Sequence, residues 1–221
     1  FVIVPEQQTV EVERAVADRL PPQAQLSVEA LNFSRLANRI FRERGGLVYN
    51  YADKSRKLLF MWRALRECAP MLSEYGRAAS DASLSSAMLQ SVREFKACGI
   101  TPKKLAEASR RFSSGRSSDR ALGGKLGDLS LIYAAYSALL SQNFTDSDDD
   151  LSRLAEKLAD EPYFGGSSVY IDSFSSFTGQ EHEIIKLIMR QADEVVITLP
   201  LSSPADRALC SFSSRKCSDR L

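Results

Sequence analysis

The stretch VYIDSFSSFTGQE, Val169 to Glu181, runs apolar through Val169–Ile171 and then places Asp172 at its end. A carboxylate just past a buried strand can hold a magnesium ion or position a water for phosphoryl transfer. It can equally cap a turn at an ordinary strand end, because Asp side chains readily bond the backbone beyond them. The next residue is Ser173. Hydrolysis of a nucleotide would ask for a glutamate there, since a serine does not accept a proton from an attacking water as a carboxylate does. A phosphate-cradling G-x-x-x-x-G-K-[ST] run is also missing from the chain, and GGKLGD at 123–128 lies in a helical periodicity and follows no strand. Turnover of ATP by this chain alone is therefore not expected.

A second set of residues points to anions. Arg35, Arg39 and Arg42 fall at i, i+4 and i+7, with Arg44 just beyond, all behind the run NFSR at 32–35. Arginines on one helical face can hold successive phosphates, Phe33 can stack on a base, and Ser34 sits beside them. The alternative is a solvated helix side, with Leu36 and Ile40 turned to the core. Lys103-Lys104 and Arg110-Arg111 are weaker patches of the same kind.

The remaining candidates read as structure. Cys68 and Cys98 sit in helical apolar patterns, as buried thiols of a reducing compartment would. Cys210 and Cys217 have a poor spacing for a shared metal, and His182, the only histidine, lies on a helix. The acidic run TDSDDD at 145–150 offers N-cap oxygens and negative charge to the start of a helix more readily than a cation site.

The elements behind these residues alternate at both ends of the chain. FVIV is a short strand ended by Pro5, and Glu6 to Leu20 is helical, with Val12, Val16 and Leu20 stacked before Pro21-Pro22. QLSVEAL at 25–31 reads as a second strand, and SRLANRIFRERGG as a helix started by Ser34 and closed by Gly45-Gly46. Between about Lys54 and Leu158 the pattern is helical throughout. One stripe is Leu58, Met61, Trp62 and Leu65; another is Leu84, Met88, Val92 and Phe95. The longest is Leu122, Leu126, Leu129, Tyr133, Tyr136 and Leu140, and Gly115 to Ser118 reads as a linker before it. A helix with Leu151, Leu154 and Leu158 follows. Alternation then returns with the strand SVYIDS, a capping box at Thr178–Glu181, a helix carrying Ile184, Ile185 and Ile188, and the strand EVVITL. The expected architecture is a parallel α/β domain over 1–52 and 164–201, interrupted by a helical insertion over 53–163, with 202–221 a tail. Ligands of such a sheet bind outside the carboxyl ends of its strands, here VPEQ, NFSR and DSFSS.

Composition bounds the rest. The 221 residues are 44% hydrophobic and 26% charged, with a formal net charge of +1, so a nucleic-acid site would have to be a local patch. No run reaches the ~18 apolar residues of a membrane span, and the apolar opening at Phe1 has no charged n-region of a signal peptide. The chain reads as a cytoplasmic fragment that starts inside a domain.

The runs FVIVPEQQTVEVERAV, LNFSRLANRIFRERGG, FKACGITPKKLAEAS and VYIDSFSSFTGQEHEIIKLIMRQADEVVITL occur in this order, as does the run from Lys125 to Leu158. Together they closely resemble the N-terminal region of the AddB/RexB family, the B subunits of bacterial ATP-dependent helicase–nucleases. The resemblance implies a P-loop-helicase-like sheet of superfamily 1 type with a helical insert. It implies a non-motor, Chi-responsive module that binds single-stranded DNA or duplex ends in double-strand-break repair and recombination, beside a motor subunit of AddA type. It puts Asp172 and Ser173 at a degenerate Asp-Glu motif, with Gln180 near a following glutamine, and NFSRL at a strand-contacting motif, so that the expected DNA contacts are Phe33, Ser34 and Arg35, with Arg39 and Arg42 of the arginine face. It implies ATP, magnesium and an iron–sulfur cluster for the full-length subunit, all outside this region. The alternative is a scaffold that docks the motor subunit without touching DNA.

Overall fold

Paired backbone in only a few residues organises the first half of the architecture. The computed structural model describes residues 1–113 and 117–199. In chain order these form β1 (Val2–Ile3), a 3-10 turn at Glu6–Gln8, α1 (Thr9–Arg19), α2 (Pro22–Gln25), β2 (Ala30–Leu31), α3 (Phe33–Arg44), α4 (Lys54–Cys68), α5 (Ala82–Ala97), α6 (Pro102–Ser113), α7 (Ser117–Ser141), α8 (Asp150–Asp160), β3 (Ser168–Ile171), α9 (Gly179–Gln191) and β4 (Glu194–Ile197). The four strands make one sheet in the order β2-β1-β3-β4, parallel at every pairing. The chain is thus α/β with a parallel sheet, as its alternating ends imply.

Two compact units result, Phe1–Leu47 with the chain from Asp150 onward, and Val48–Asp149. In the sheet unit, Ile3, Leu31, Val169 and Ile171 meet Leu36 and Ile40 of α3, Leu154 and Leu158 of α8, and Ile184 and Ile188 of α9. Each such side chain, fully buried, contributes about 1.5–3 kcal/mol of transfer free energy. Helix α8 therefore lies with the sheet, whereas the sequence pattern groups it with the helical insertion. Its Leu stripe finds its partners on α3 and α9, and local periodicity does not say which core a stripe joins.

Local chemistry shifts two other elements. The expected strand 25–31 shrinks to Ala30–Leu31, because Gln25 ends α2 and its side-chain amide donates to the carbonyls of Ala17 and Leu20 at 2.9 and 2.8 Å. The cap of helix α3 lies two residues before the expected one: Asn32 is the N-cap, its side chain accepting from the Arg35 N–H at 2.7 Å, and Ser34 lies in the first turn. At the other end Gly45 and Gly46 take positive φ and stop the helix. The capping box at Thr178 and Glu181 forms as the sequence predicts.

The helical unit packs Met61 and Leu65 of α4, Met88 and Val92 of α5, Leu105 of α6, and Ile132, Tyr136 and Leu140 of α7. Leu58 and Trp62, expected in the α4 stripe, are exposed instead. Cys68 is buried as expected, but Cys98 is exposed, because it caps the end of α5 where the chain turns at Gly99. The run GGKLGD lies inside α7, and its glycines serve close packing. A Cβ on Gly124 would come within 3.1 Å of a Glu74 carboxylate oxygen, and one on Gly127 within 3.1 Å of the Ser109 hydroxyl. Asp128 of the same run accepts from the backbone N–H groups of Ser73, Glu74 and Tyr75 at 2.7–3.0 Å, holding that turn on α7. Gly115 and Arg116 of the expected linker, and the tail with Cys210 and Cys217, lie outside the described residues, while Ser117 and Ser118 open α7.

The acidic run at 145–150 is neither a simple helix start nor a cation site. Asp146 is 3% exposed. Its carboxylate meets Lys57 Nζ of α4 at 2.5 Å and Lys96 Nζ of α5 at 2.8 Å, and accepts from the Tyr136 hydroxyl of α7 at 3.2 Å. Lys57 also reaches Asp148 at 2.9 Å, and Lys96 reaches Asp149 at 2.7 Å. Burial alone would raise the Asp146 pKa, but Lys96 and Lys57 outweigh it and hold the carboxyl well below its usual range. Burial and Asp146 push the Tyr136 hydroxyl up, so it remains a donor.

Removing one member of a buried pair strands the others, at about 3–5 kcal/mol. Asp146→Ala is therefore expected to lower the unfolding free energy of the chain, read from urea denaturation, by about 3–5 kcal/mol. Because the folded pKa lies below the unfolded value of about 3.9, the stabilisation from Asp146 is full above about pH 4. It is lost as pH falls toward the depressed folded value. Urea midpoints measured from pH 6 down to pH 3 should fall more steeply for the parent chain than for Asp146→Asn; parallel curves would refute this role.

Candidate nucleic-acid interface at the carboxyl edge of the sheet

The strand order places the candidate residues. From β1 the chain moves to β2 on one side, and β3 then pairs on the other side of β1, so the order reverses between β1 and β3. In open parallel sheets that reversal opens a crevice at the carboxyl ends of the strands. Pro5–Gln8 follow β1 there, Asn32–Arg35 follow β2, and Asp172 follows β3. All three expected strand ends therefore lie along one edge of one sheet.

Asp172 is half-buried and anchored to the sheet through its N–H, which donates to the Ile3 carbonyl at 3.0 Å. Its Oδ1 accepts from the Ser173 N–H at 2.8 Å and from the Thr198 hydroxyl beyond β4. Ser173 has φ +66°, the left-handed region that side chains other than glycine seldom enter. The carboxylate thus closes a tight turn and ties β3 to β4. Among the described residues no group of three His, Cys, Asp or Glu side chains has metal-holding geometry. One carboxylate already bonded to a hydroxyl and an N–H does not make a magnesium ligand set, so no hydrolytic step is derived through it. Gln180 lies in the first turn of α9. It is buried, and its amide donates to the Ser152 hydroxyl of α8 at 2.9 Å.

The arginine face forms on α3, and its members differ in what already holds them. Arg35 is exposed, with Glu13 of α1 at 3.4 Å. Arg39, 31% exposed at its side chain, pairs with Glu29 and with Glu43, the latter at 3.1 Å. It also donates to the Tyr163 hydroxyl at 3.0 Å and lies 5.3 Å over the Phe1 ring. Arg44 packs over Tyr163 at 6.0 Å. Arg42 is exposed and has no ion-pair partner among the described residues. Ser34 is exposed beside Arg35. Phe33 is 3% exposed, with its ring 5.5 Å from that of Phe174, so burial corrects the expectation that it lies open to a base. It supports the strand end from beneath. The Arg39–Glu43 pair follows i,i+4 spacing and was accessible to sequence reasoning. Glu29 and Tyr163 were not, since only the fold brings them there. His182 is half-buried near the Phe177 ring, and its Nδ1 has no hydrogen-bond partner.

These environments separate two kinds of arginine. Arg39→Ala is expected to lower stability by about 1–2 kcal/mol, through lost charge-assisted hydrogen bonds. Arg42→Ala should stay within about 0.5 kcal/mol of the parent, as exposed substitutions do. Urea denaturation followed by circular dichroism reads both, and equal midpoints for the two variants would contradict the assignment.

The chain is similar to known proteins along most of its length. The family model described as "ADDB, N-terminal" matches residues 1–215. The chain is 31% identical over 206 residues to the B subunit of the ATP-dependent helicase/deoxyribonuclease of Caldanaerobacter subterraneus subsp. tengcongensis, covering 93% of this chain and 17% of that protein. The protein of the same name from Clostridium tetani is 31% identical over 199 residues, covering 90% and 17%. That from Thermoanaerobacter sp. strain X514 is 28% identical over 224 residues, covering all of this chain and 19% of its relative. The chain thus spans less than a fifth of the length of these curated relatives. With the family model matched along nearly its whole length and relatives at 31% identity, the chain belongs to the AddB N-terminal family.

Proposed function

We propose that the chain is a helicase-like, non-motor DNA-binding module of the B subunit of a bacterial helicase–nuclease. It works in the cytoplasm beside a motor subunit and contributes to Chi-responsive processing of broken DNA ends for recombination. The observation that carries this reading is the convergence of Ser34 and Arg35 with the ends of β1 and β3 on one sheet edge, in a chain whose relatives are named as helicase/deoxyribonuclease subunits. Arg35 is an exposed cation of this edge and Arg42 an exposed cation in the last turn of the same helix, and the first turn of α3 offers backbone N–H groups and a positive dipole end to a phosphate. Asp172 and Ser173 act as a turn that shapes the edge. ATP, magnesium and an iron–sulfur cluster belong, on this reading, to other parts of the subunit or its partner.

Binding of a labelled single-stranded oligonucleotide, followed by fluorescence anisotropy across a salt series, tests the proposal. Affinity should fall steeply with salt, because each neutralised phosphate releases counterions and adds about 0.7 to the log–log slope. Arg35→Ala and Arg42→Ala should each flatten the slope by about that amount. An unchanged slope removes both from the interface. No binding even at low salt moves the chain to the scaffold reading, in which it docks the motor subunit without DNA.

A further inference from the structure

The charge of the chain is unevenly divided. Residues 48–149 hold 15 Lys and Arg against 11 Asp and Glu, while residues 1–47 with 150–199 hold 10 against 15. Several acids of the helical unit are also taken up internally. Asp128 is buried against the 73–75 backbone, Asp146 and Asp149 are held by Lys57 and Lys96, and Asp148 by Lys57 and Arg93. The Asp146–Asp148–Asp149 cluster is near neutral as a whole, set against Lys57, Lys96 and Arg93, so the net positive charge of the unit comes from its other side chains.

Helix α4 gathers the aromatic and cationic groups of that surface. Trp62, the only tryptophan of the chain, is 36% exposed, and the Arg66 guanidinium lies 4.7 Å over its ring. Leu59, one turn earlier, is 60% exposed, and Arg63 and Lys54 are exposed on the same helix. The opposite side of α4, with Met61, Ala64, Leu65 and Cys68, supplies the core. Packing within the unit thus accounts for one side of the helix and leaves the Trp62 side unexplained.

We propose that the outward face of α4, centred on Trp62 with Leu59, Arg63 and Arg66, is a second contact for single-stranded DNA. The inference rests on the nucleic-acid reading above and adds a surface on the other unit. The indole face stacks a base without regard to sequence, and arginine beside it supplies both a cation for the phosphate and a second flat surface. From Leu59 to Arg66 the helix rises about 10 Å, about three steps at the stacked spacing of one strand. Charge complementarity favours this occupant over a protein helix, since Arg63 and Arg66 flank the apolar centre, Arg63 beside Glu67 at 2.7 Å and Arg66 over the indole.

The single tryptophan makes the test direct. An unlabelled oligo-dT of about 15 nucleotides, a length within the site sizes of single-strand binders, is titrated into the chain at low salt. It should quench Trp62 emission with the midpoint that anisotropy of the labelled oligonucleotide reports. Trp62→Leu and Arg66→Ala should each weaken binding about ten-fold by anisotropy, while Trp62→Phe, which keeps a stacking ring, retains most of it. Circular dichroism should be unchanged for all three, because these side chains are outside the core. Binding by anisotropy with no quenching, and with Trp62→Leu at parent affinity, would overturn this inference and leave the sheet-edge reading standing. Absence of any binding would overturn both. Loss of affinity for the motor subunit in Trp62→Leu, with DNA affinity unchanged, would overturn it in favour of protein docking.

Discussion

The two-residue strand β1 is the constraint on which the sheet unit depends. Val2 and Ile3 pair with Ala30 and Leu31 on one side and with Tyr170 and Ile171 on the other. Segments near the two ends of the chain are thereby brought into one sheet around a long excursion. A strand this short has little stability of its own, so the pairing holds because Ile3, Val169 and Ile171 are buried at the same time as the helices above them. Everything at the carboxyl edge inherits its position from this register.

The helical unit solves the equivalent problem with charge. Its chain ends run side by side, with a bridge between Tyr51 and Thr145. Asp146 next to it reaches lysines on two helices and a tyrosine on a third. Such a cluster stabilises only when complete, since each buried charge depends on the others for the solvation it has lost. It makes the 145–149 segment part of the unit's core, although that segment is the most acidic run of the sequence.

The same residue type does different work in the two units. On α3, Arg39 is a structural cation bound by Glu29, Glu43 and Tyr163, while Arg42 one turn on is left to solvent. On α4, Arg66 lies over an exposed indole. Family membership rests on the match along the chain. It does not by itself separate arginines that hold the fold from those available to a phosphate, and that separation came from the carboxylates within reach of each guanidinium.

Much of this was already present in local sequence. Alternating apolar runs at both ends, the Thr178–Glu181 capping box and the stop at Gly45-Gly46 define a parallel α/β unit, because hydrophobic period and cap chemistry act over a few residues. The missing glutamate after Asp172 and the arginine spacing on α3 were equally plain. Other features were decided only by the tertiary structure. Asn32 took the cap from Ser34 because burying Phe33 set where the helix begins. Helix α8 joined the sheet, Phe33 went beneath the site, Trp62 went to the surface, and the acidic run became a buried hub. In each case one helical or polar pattern was compatible with more than one partner. The choice depended on residues tens of positions away, whose burial and charge become effective only once the chain has closed on itself.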